Sequence, residues 1–374
     1  MDPQKQWCHN PDCPARGQVG QGNIRIHSSK EQRYRCWICR RTFAASKGTP
    51  FYRLRTAADL VTLVLTLLCH GCPLQAIVAA FGIDERTVRQ WQARAGRHCQ
   101  KTHAAIVQQG RVDLGHVQAD ELWVKLVAKR VWMAMALAVP ARLWLGGVIE
   151  SRIATASSSP IWCRGYVLVR QAWRSWSVWM AWAGYVTAFL RVFRHTVRTG
   201  RRARPRLVVE PGLLIGQVIK RYEKRRVVGV GSIRVMRGTA EAIAGVLSKT
   251  RTGTVINTAY IERLNATFRG ALAPLVRRGR AISHLETTLT AGMYLVGCAY
   301  NFCWCHRSLR LPAAQGSARL WSERTPAMAA GLTDHRWTMA ELLHHQVPLP
   351  PWVPPRRLRC PRGRIQPSLM AGAM

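Results

Sequence analysis

The sequence predicts a mixed α/β protein, in which two small N-terminal modules precede a central sheet with flanking helices. Three observations support this fold class. Two cysteine pairs lie in the first 40 residues, an arginine-rich helical segment follows, and consecutive strand-like runs come after it. The predicted segments are a zinc-ribbon-like DNA-binding module at 1–50, a helix-turn-helix at 56–105, the sheet domain at 111–310, and a basic, proline-rich tail at 311–374.

The charge of the chain points to a polyanionic partner. Lys and Arg number 56 against 18 Asp and Glu, a formal charge of +38, while 48% of the residues are hydrophobic, which excludes a disordered basic tail. Double-stranded DNA is the first candidate partner. No apolar run reaches the roughly 20 residues that a membrane span needs, and the N-terminus lacks the apolar run of a signal peptide. We therefore expect a cytoplasmic, nucleoid-associated protein without membrane contact.

Four cysteines in the first module have the spacing of zinc ligands. Cys8 and Cys13 form one close pair, and Cys36 and Cys39 form a second pair 22 residues later. Tetrahedral Zn²⁺ favours four thiolates on two tight turns, and so small a segment needs a metal or a similar staple to fold. Four free cysteines in a small basic segment are the alternative, and His9 is a possible substitute ligand.

Residues 56–105 have the pattern of a helix-turn-helix. Thr56 and Asp59 form a capping-box-like start to a first apolar helix, Gly82 ends a second helix, and Asp84 begins a third. The polar side of the third helix contains candidate DNA contacts, since the last helix of this motif enters the major groove: Arg86, Arg89, Gln90, Arg94 and Arg97. A three-helix bundle with a solvated basic face is the alternative.

Acidic residues are rare enough in this chain to be informative. Asp120 and Glu121 lie in the first of three strand-like runs, which continue over 130–139 and 142–150. Three such strands with an Asp on the first are typical of a ribonuclease-H-like mixed sheet. Far downstream, Glu262, Asn265 and Arg269 share one face of a predicted helix, a combination suited to metal-assisted attack on DNA phosphate.

These motifs together resemble the transposases of the insertion-sequence-one type, a branch of the DDE transposases. The resemblance covers the cysteine pairs, the helix-turn-helix, the Asp-Glu-x-Trp stretch at 120–123 and the Tyr-Ile-Glu-Arg-Leu-Asn stretch at 260–265. It implies three carboxylates that bind two Mg²⁺ (or Mn²⁺) ions for cleavage and strand transfer at the element's ends. Asp120 corresponds to the first carboxylate and Glu262 to the third, whereas Glu121 is expected to point to the other side of its strand. Bringing two DNA ends together implies a homo-oligomer.

The middle carboxylate of that family has no counterpart in this sequence. The position that best matches it is Met180, and no acid occurs between Ser151 and Val209; Glu210 is the nearest substitute. Five tryptophans crowd residues 162–182, which is consistent with either a Trp-rich amphipathic segment or a stretch translated out of frame over 151–182. The second hypothesis is favoured, because a shifted frame in GC-rich DNA produces Trp codons and removes Asp codons.

The remaining segments add charge and core. Residues 194–250 are predicted to be a basic insertion in the sheet domain, in contact with phosphate or solvated. Several further cysteines and histidines are interpreted as core residues and not as a second metal site: Cys69, Cys72, His98, Cys99, His103, Cys298, Cys303, Cys305 and His306. Three functions stay open at this point: an active transposase, a DNA-binding remnant that cannot cut, and a regulator or RNA binder without transposase ancestry.

Overall fold

The chain forms two compact units. The computed structural model describes residues 1–127, 129–150, 176–180, 184–198, 205–223, 226–276, 285–313, 315 and 318–354. One unit comprises Met1–Ala45 with Pro348–Met374, and the other comprises Ser46–Val347. The second unit therefore includes the helices predicted at 56–105, the sheet, and most of the segment 311–347.

The first unit is built on a small antiparallel sheet. Its strands pair in the order β1-β2-β3: β1 (Ile24–Ser28), β2 (Arg33–Cys36) and β3 (Thr42–Ala44). Ile24, Tyr34 and Phe43 form its apolar core together with buried cysteines. The chain returns to this unit near its C-terminus, where a Cβ atom on Gly17 (φ 71°) would come within 2.1 Å of the Leu349 carbonyl oxygen. Only glycine fits at that position.

Three helices open the second unit, much as the sequence predicts. They are α1 (Ala58–Cys69), α2 (Leu74–Phe81) and α3 (Glu85–His103). Gly82 ends α2 in the left-handed conformation (φ 63°), and the Asp84 carboxylate accepts hydrogen bonds from the amides of Arg86 and Thr87 at the start of α3. The capping prediction for Thr56 is wrong, because α1 begins after Ala57 and no side chain caps it.

A six-stranded mixed sheet forms the centre of the second unit. Its order is β11-β10-β7-β4-β5-β6: β4 (Val117–Lys125), β5 (Arg130–Ala138), β6 (Leu143–Glu150), β7 (Trp176–Met180), β10 (Leu213–Glu223) and β11 (Arg226–Arg237). β4, β5 and β6 are consecutive and antiparallel, whereas β7 runs parallel to β4 and β10 runs parallel to β7. The first predicted strand therefore lies inside the sheet.

The prediction of a basic insertion at 194–250 is wrong in its structural part. This segment supplies β10 and β11 of the central sheet, together with other elements: β8 (Arg194–Val197), β9 (Arg206–Val209) and helix α5 (Ala240–Thr250). Leu213, Ile215 and Val218 are buried, while the arginines stand at exposed or half-exposed positions of the same elements. Residues 213–218 of β10 are all buried, so this part of the strand is covered on both faces, and the basic residues of β10 follow it.

Four further helices cover the sheet and complete the core. They are α4 (Gly184–Val192), α6 (Ala259–Ala271), α7 (Glu286–Cys298) and, near the C-terminus, the short α8 (Pro326–Ala329). Helix α6 packs on β4 and β5, and α7 packs between β6 and α3. A Cβ atom on Gly96 of α3 would lie 2.4 Å from the Cα of Ala291 in α7, so glycine permits this close crossing. The helix-turn-helix segment and the sheet thus share one apolar core.

The segment 311–347 is folded, contrary to the prediction of a tail from residue 311. It contains β12 (Leu311–Pro312), β13 (Trp321–Ser322), α8 and α9 (Met339–His344). Ala327, Leu342 and Leu343 are fully buried, and Thr338 with Glu341 forms a capping box at the start of α9. The rest of the predicted tail, from residue 355, lies outside the described residues. Within the described ranges, no helix combines the length and apolarity that crossing a bilayer requires.

Candidate functional site

The four cysteines of the first unit form one cluster that could hold a metal ion such as zinc. Their Sγ atoms all lie within 4.8 Å of one another. Cys8 Sγ is 3.5 Å from Cys39 Sγ, and Cys13 Sγ is 3.9 Å from Cys36 Sγ. A tetrahedral site with Zn–S bonds of about 2.3 Å places its sulfurs about 3.8 Å apart, so the thiol geometry fits this ion. The prediction that the two close cysteine pairs come together at one possible metal site is therefore confirmed.

Hydrogen bonds favour the thiolate form at Cys39, whereas burial raises the pKa values of Cys8 and Cys13 in the same cluster. Burial by itself would raise the pKa of Cys39, but the amide of Arg41 and the neighbouring thiols act in the opposite direction and lower that pKa to about 7. His9 is not a member of the four-residue group, and its ring packs 5.0 Å from the ring of Phe43. The substitute role considered for His9 therefore gains no support.

The carboxylates predicted from distant segments lie on adjoining elements of the second unit. Asp120 is on β4, and Nδ2 of Asn265 on α6 donates a hydrogen bond of 2.9 Å to its Oδ2. Glu262 lies one turn before Asn265 on the same side of α6, a spacing that separates Cβ atoms by about 5–6 Å. The Glu262 Oε1 accepts a 2.6 Å hydrogen bond from Thr258 Oγ1. Two acids 142 positions apart in sequence thus lie on a strand and a helix that pack against each other.

Asn265 has an unusual environment for an amide. Only 3% of the residue is exposed, and its Oδ1 is buried with no hydrogen-bond partner among the described residues. An unpaired buried carbonyl oxygen is costly unless a cation or water meets it. Together with Asp120 and the exposed Glu262, it offers the hard oxygen donors that Mg²⁺ prefers.

Gln118 fixes α6 on the sheet, a role that the sequence did not reveal. Its Oε1 accepts hydrogen bonds from the amides of Tyr260 and Ile261, each of 3.0 Å, and its Nε2 donates to the Asn257 carbonyl oxygen over 2.9 Å. The sequence shows only that a glutamine lies two residues before Asp120, and the structure shows that this side chain is fully buried. Together with Asn257 Oδ1, which accepts a hydrogen bond from the Ala259 amide over 3.2 Å, it caps the first turn of α6, where the Thr258 side chain provides no cap.

The backbone register locates the position where the middle carboxylate is missing. Met180 ends β7 and pairs with Ala119, directly before Asp120. The position that the resemblance assigns to the middle acid is therefore beside Asp120 in the sheet. Most of the tryptophan-rich stretch, 151–175 and 181–183, lies outside the described residues, so the frame-shift hypothesis stays a prediction.

Glu210 is wrong as a substitute ligand. It precedes β10 by three residues, and the first residue of β10, Leu213, pairs with Trp176 at the opposite end of β7 from Met180. Four residues of strand separate these two levels by about 13 Å. The Glu210 Oε1 instead lies 3.3 Å from Nδ1 of His195.

The candidate DNA contacts on α3 fall into two groups. Arg86, Gln90 and Arg97 are exposed. Arg89 forms an ion pair with Glu85 one turn earlier, and the Arg94 guanidinium donates to the Tyr52 carbonyl oxygen. Arg94 therefore acts within the fold. Arg269, also predicted to contact DNA, is half-buried on the same side of α6 as Glu262.

Four of the other described cysteines, Cys69, Cys99, Cys298 and Cys303, are buried core residues, whereas Cys72 and Cys305 are half-buried. Cys69, Cys99 and Cys298 are fully buried, and Cys298 Sγ donates to the Cys99 carbonyl oxygen over 3.2 Å. Burial raises the pKa values of the Cys69 and Cys298 thiols far above the ordinary value. The described residues contain one group of three or more close metal-ligand side chains, the cysteine cluster of the first unit.

Compared with known proteins, the chain matches no protein-family model and shows no significant similarity to any curated protein.

Proposed function

We propose that the unit Ser46–Val347 is a ribonuclease-H-like, nucleic-acid-processing unit of the insertion-sequence-one type, which cleaves and joins DNA phosphodiesters at the ends of a mobile element. The hydrogen bond from Asn265 to Asp120 is the main support, because it holds the carboxylate of the sheet beside the helix that contains Glu262. The central position of β4 and the three consecutive antiparallel strands also support the proposal.

The proposed chemistry is metal-assisted phosphoryl transfer. Asp120 and Glu262 would hold Mg²⁺ or Mn²⁺, which would offset charge on the phosphate and activate a water or a DNA 3′-hydroxyl. Asn265 fixes one oxygen of Asp120 through its hydrogen bond. Thr258 fixes one oxygen of Glu262 in the same way.

DNA binding in this proposal involves both units. The cysteine cluster would hold Zn²⁺ and stabilise a basic ribbon, while Arg86, Gln90 and Arg97 are available for contacts to the duplex. Double-stranded DNA at the element ends and at the target is the proposed partner, in a homo-oligomer that brings two ends together. A nucleoid-associated, cytoplasmic location follows from that role.

A second function is favoured by one observation. Met180 stands where the middle acid is expected, and a neutral thioether is a poor ligand for Mg²⁺. A protein with this defect would occupy element ends without cutting them. A regulator or RNA binder of other ancestry would leave the contact between Asp120 and Asn265 without a purpose.

Cleavage and binding assays on one set of duplexes separate these functions. Labelled duplexes from the two flanks of the coding sequence are incubated with the full chain and Mg²⁺ or Mn²⁺, alongside Asp120→Asn and Glu262→Gln. An active enzyme should give metal-dependent nicks, and each variant should lose at least about a hundredfold in rate while binding is unchanged.

The outcomes have distinct meanings. Gel-shift binding without cleavage by the parent chain supports the binding-only function. Cleavage that survives both substitutions rules out the proposed site, and absence of DNA binding at low salt contradicts both proposals.

A further inference from the structure

A cavity lies on the flank of α6 opposite to the flank that contains Glu262 and Asn265. It has a volume of about 340 Å³ and is formed where α6, the turn after β5 and the residues after α7 come together. Its lining includes three arginines: Arg142, Arg263 and Arg307. No acidic side chain among the described residues lines it, so three positive charges face one small space.

These charges have no carboxylate partner within the described part of the chain. The Arg142 guanidinium stacks on the ring of Tyr260, with 3.8 Å between Cζ and the ring centroid, and also donates to the Val139 carbonyl oxygen. Arg263 and Arg307 are exposed at the rim. Arginine guanidinium groups that converge on a cavity without a counter-ion are the usual arrangement for binding a phosphate group.

The wall of the cavity contains a further unsatisfied group. His306 Nε2 is buried and has no hydrogen-bond partner among the described residues, and the ring packs 4.5 Å from the ring of Tyr300. Burial, and then the charges of Arg263 and Arg142, lower the pKa of His306 to about 4. The imidazole is therefore neutral at pH 7, mainly because it is buried, and the positive charges of Arg263 and Arg142 beside it would also face a bound anion.

This cavity is distinct from the carboxylate site. Helical spacing places Tyr260, Arg263 and Thr267 along one edge of the buried stripe of α6, while Glu262 and Asn265 lie along the other edge. The cavity and the carboxylate site therefore lie on opposite flanks of the helix.

We propose that the cavity between Arg142, Arg263 and Arg307 is a binding site for a phosphate group, which receives charge-assisted hydrogen bonds from the guanidinium groups and from His306. The shared chemistry is a tetrahedral phosphate oxyanion. Its source is either a phosphodiester of a nucleic-acid strand or free inorganic phosphate. The site does not depend on Asp120 or Glu262.

Calorimetric titration of the full chain with inorganic phosphate at low ionic strength is the first test. Saturable binding is expected, with a loss of about tenfold or more in affinity for Arg263→Gln and for Arg307→Gln. Arg234→Gln is the matched control: it removes one exposed arginine of β11 that has no described partner, and it should change affinity by less than about twofold. Arg142 is retained in all variants because it also bonds to Val139.

A second measurement distinguishes a local effect from a change in the fold. The pKa of His306, followed by NMR, should rise on addition of phosphate, and it should rise in Arg263→Gln without phosphate because a nearby positive charge is gone. Asp120→Asn should leave the affinity for phosphate unchanged.

Binding of the variants to a DNA duplex distinguishes the two possible sources of the phosphate group. A backbone phosphate predicts that Arg263→Gln weakens binding to DNA and reduces the salt dependence by about one ion, whereas free phosphate predicts unchanged DNA binding. If neither phosphate nor DNA distinguishes Arg263→Gln from Arg234→Gln, the proposal is overturned.

Discussion

At the scale of single residues, a few buried amides hold the candidate site together. Gln118 caps α6 from β4, and Asn265 bonds back from α6 to Asp120 on the same strand. Both amide side chains join β4 to α6, and the residues of β4 that take part, Gln118 and Asp120, are two positions apart. The geometry of the carboxylates therefore depends on side chains that do no chemistry themselves.

Replacement of Gln118 by methionine should destabilise the second unit strongly. Methionine has nearly the same size, but it leaves the amides of Tyr260 and Ile261 and the carbonyl of Asn257 buried without partners, at a cost of about 2–4 kcal/mol. Urea unfolding followed by circular dichroism measures this cost. Gln90→Met on the exposed side of α3 is the control and should change stability by less than about 0.5 kcal/mol. Equal effects of the two substitutions would contradict the role given to Gln118.

The sequence predicted the candidate ligand and DNA-binding residues better than the residues that hold them in position. Glu262, Asn265 and Arg269 share a face because helical spacing is a local property, which a sequence pattern reveals. The bonds of Gln118 join residues about 140 positions apart, and no local pattern reports such a pairing. Arg94 shows the converse, since a helical wheel cannot distinguish an arginine that faces DNA from one that bonds to the backbone of its own fold.

At the scale of elements, the register of β7 against β4 controls what the site contains. Val117 pairs with Val178 and Ala119 with Met180, so β7 ends level with the beginning of the acidic stretch of β4. Parallel neighbouring strands that end at one edge bring their last residues together. The residue at the end of β7 is therefore the one whose chemistry matters most for a third ligand.

Replacement of Met180 by aspartate should create or increase metal-dependent cleavage. A carboxylate at this position would restore the middle acid that the proposed function assigns to the end of β7, and the expected gain is at least about tenfold over the parent chain with Mg²⁺. The rate of nicking of labelled duplexes measures it. Met180→Asn is the control, because it introduces a similar polar volume without charge and should give no gain. Equal rates for the two variants, with both folded, would remove Met180 from the site.

The length of each apolar run explains where the prediction of the strands succeeded and where it failed. The runs at 130–139 and 142–150 were predicted within one or two residues because they are almost wholly apolar. The segment 194–250 was assigned to a basic insertion because its arginines dominate the composition, although Leu213 and Ile215 between them are buried in the sheet. Composition averaged over the whole segment hides the short run of buried residues at 213–218.

At the scale of the whole molecule, charge and burial act together. The chain has a formal charge of +38, and the second unit nevertheless has several buried or half-buried histidines in or beside its core, where their positive form is disfavoured. Burial lowers the pKa of His103 and of His306 to about 4 and that of His116 to about 3. Protonation of these groups would add charge to a protein that already repels itself.

The stability of the second unit should fall as the pH drops below about 6.5. Between that pH and about 4, the unfolded chain binds a proton at residue 103 that the folded chain excludes, so acid favours unfolding. For His103, which is fully buried against Trp144 and Tyr294, the loss at pH 5 is about 2 kcal/mol relative to neutral pH. Urea unfolding at pH 7.5 and pH 5 for the parent chain, His103→Phe and the exposed-site control His70→Gln measures this term. The phenylalanine variant should lose less stability on acidification than the parent and the control, whereas three equal losses would show that burial of His103 does not determine the acid sensitivity.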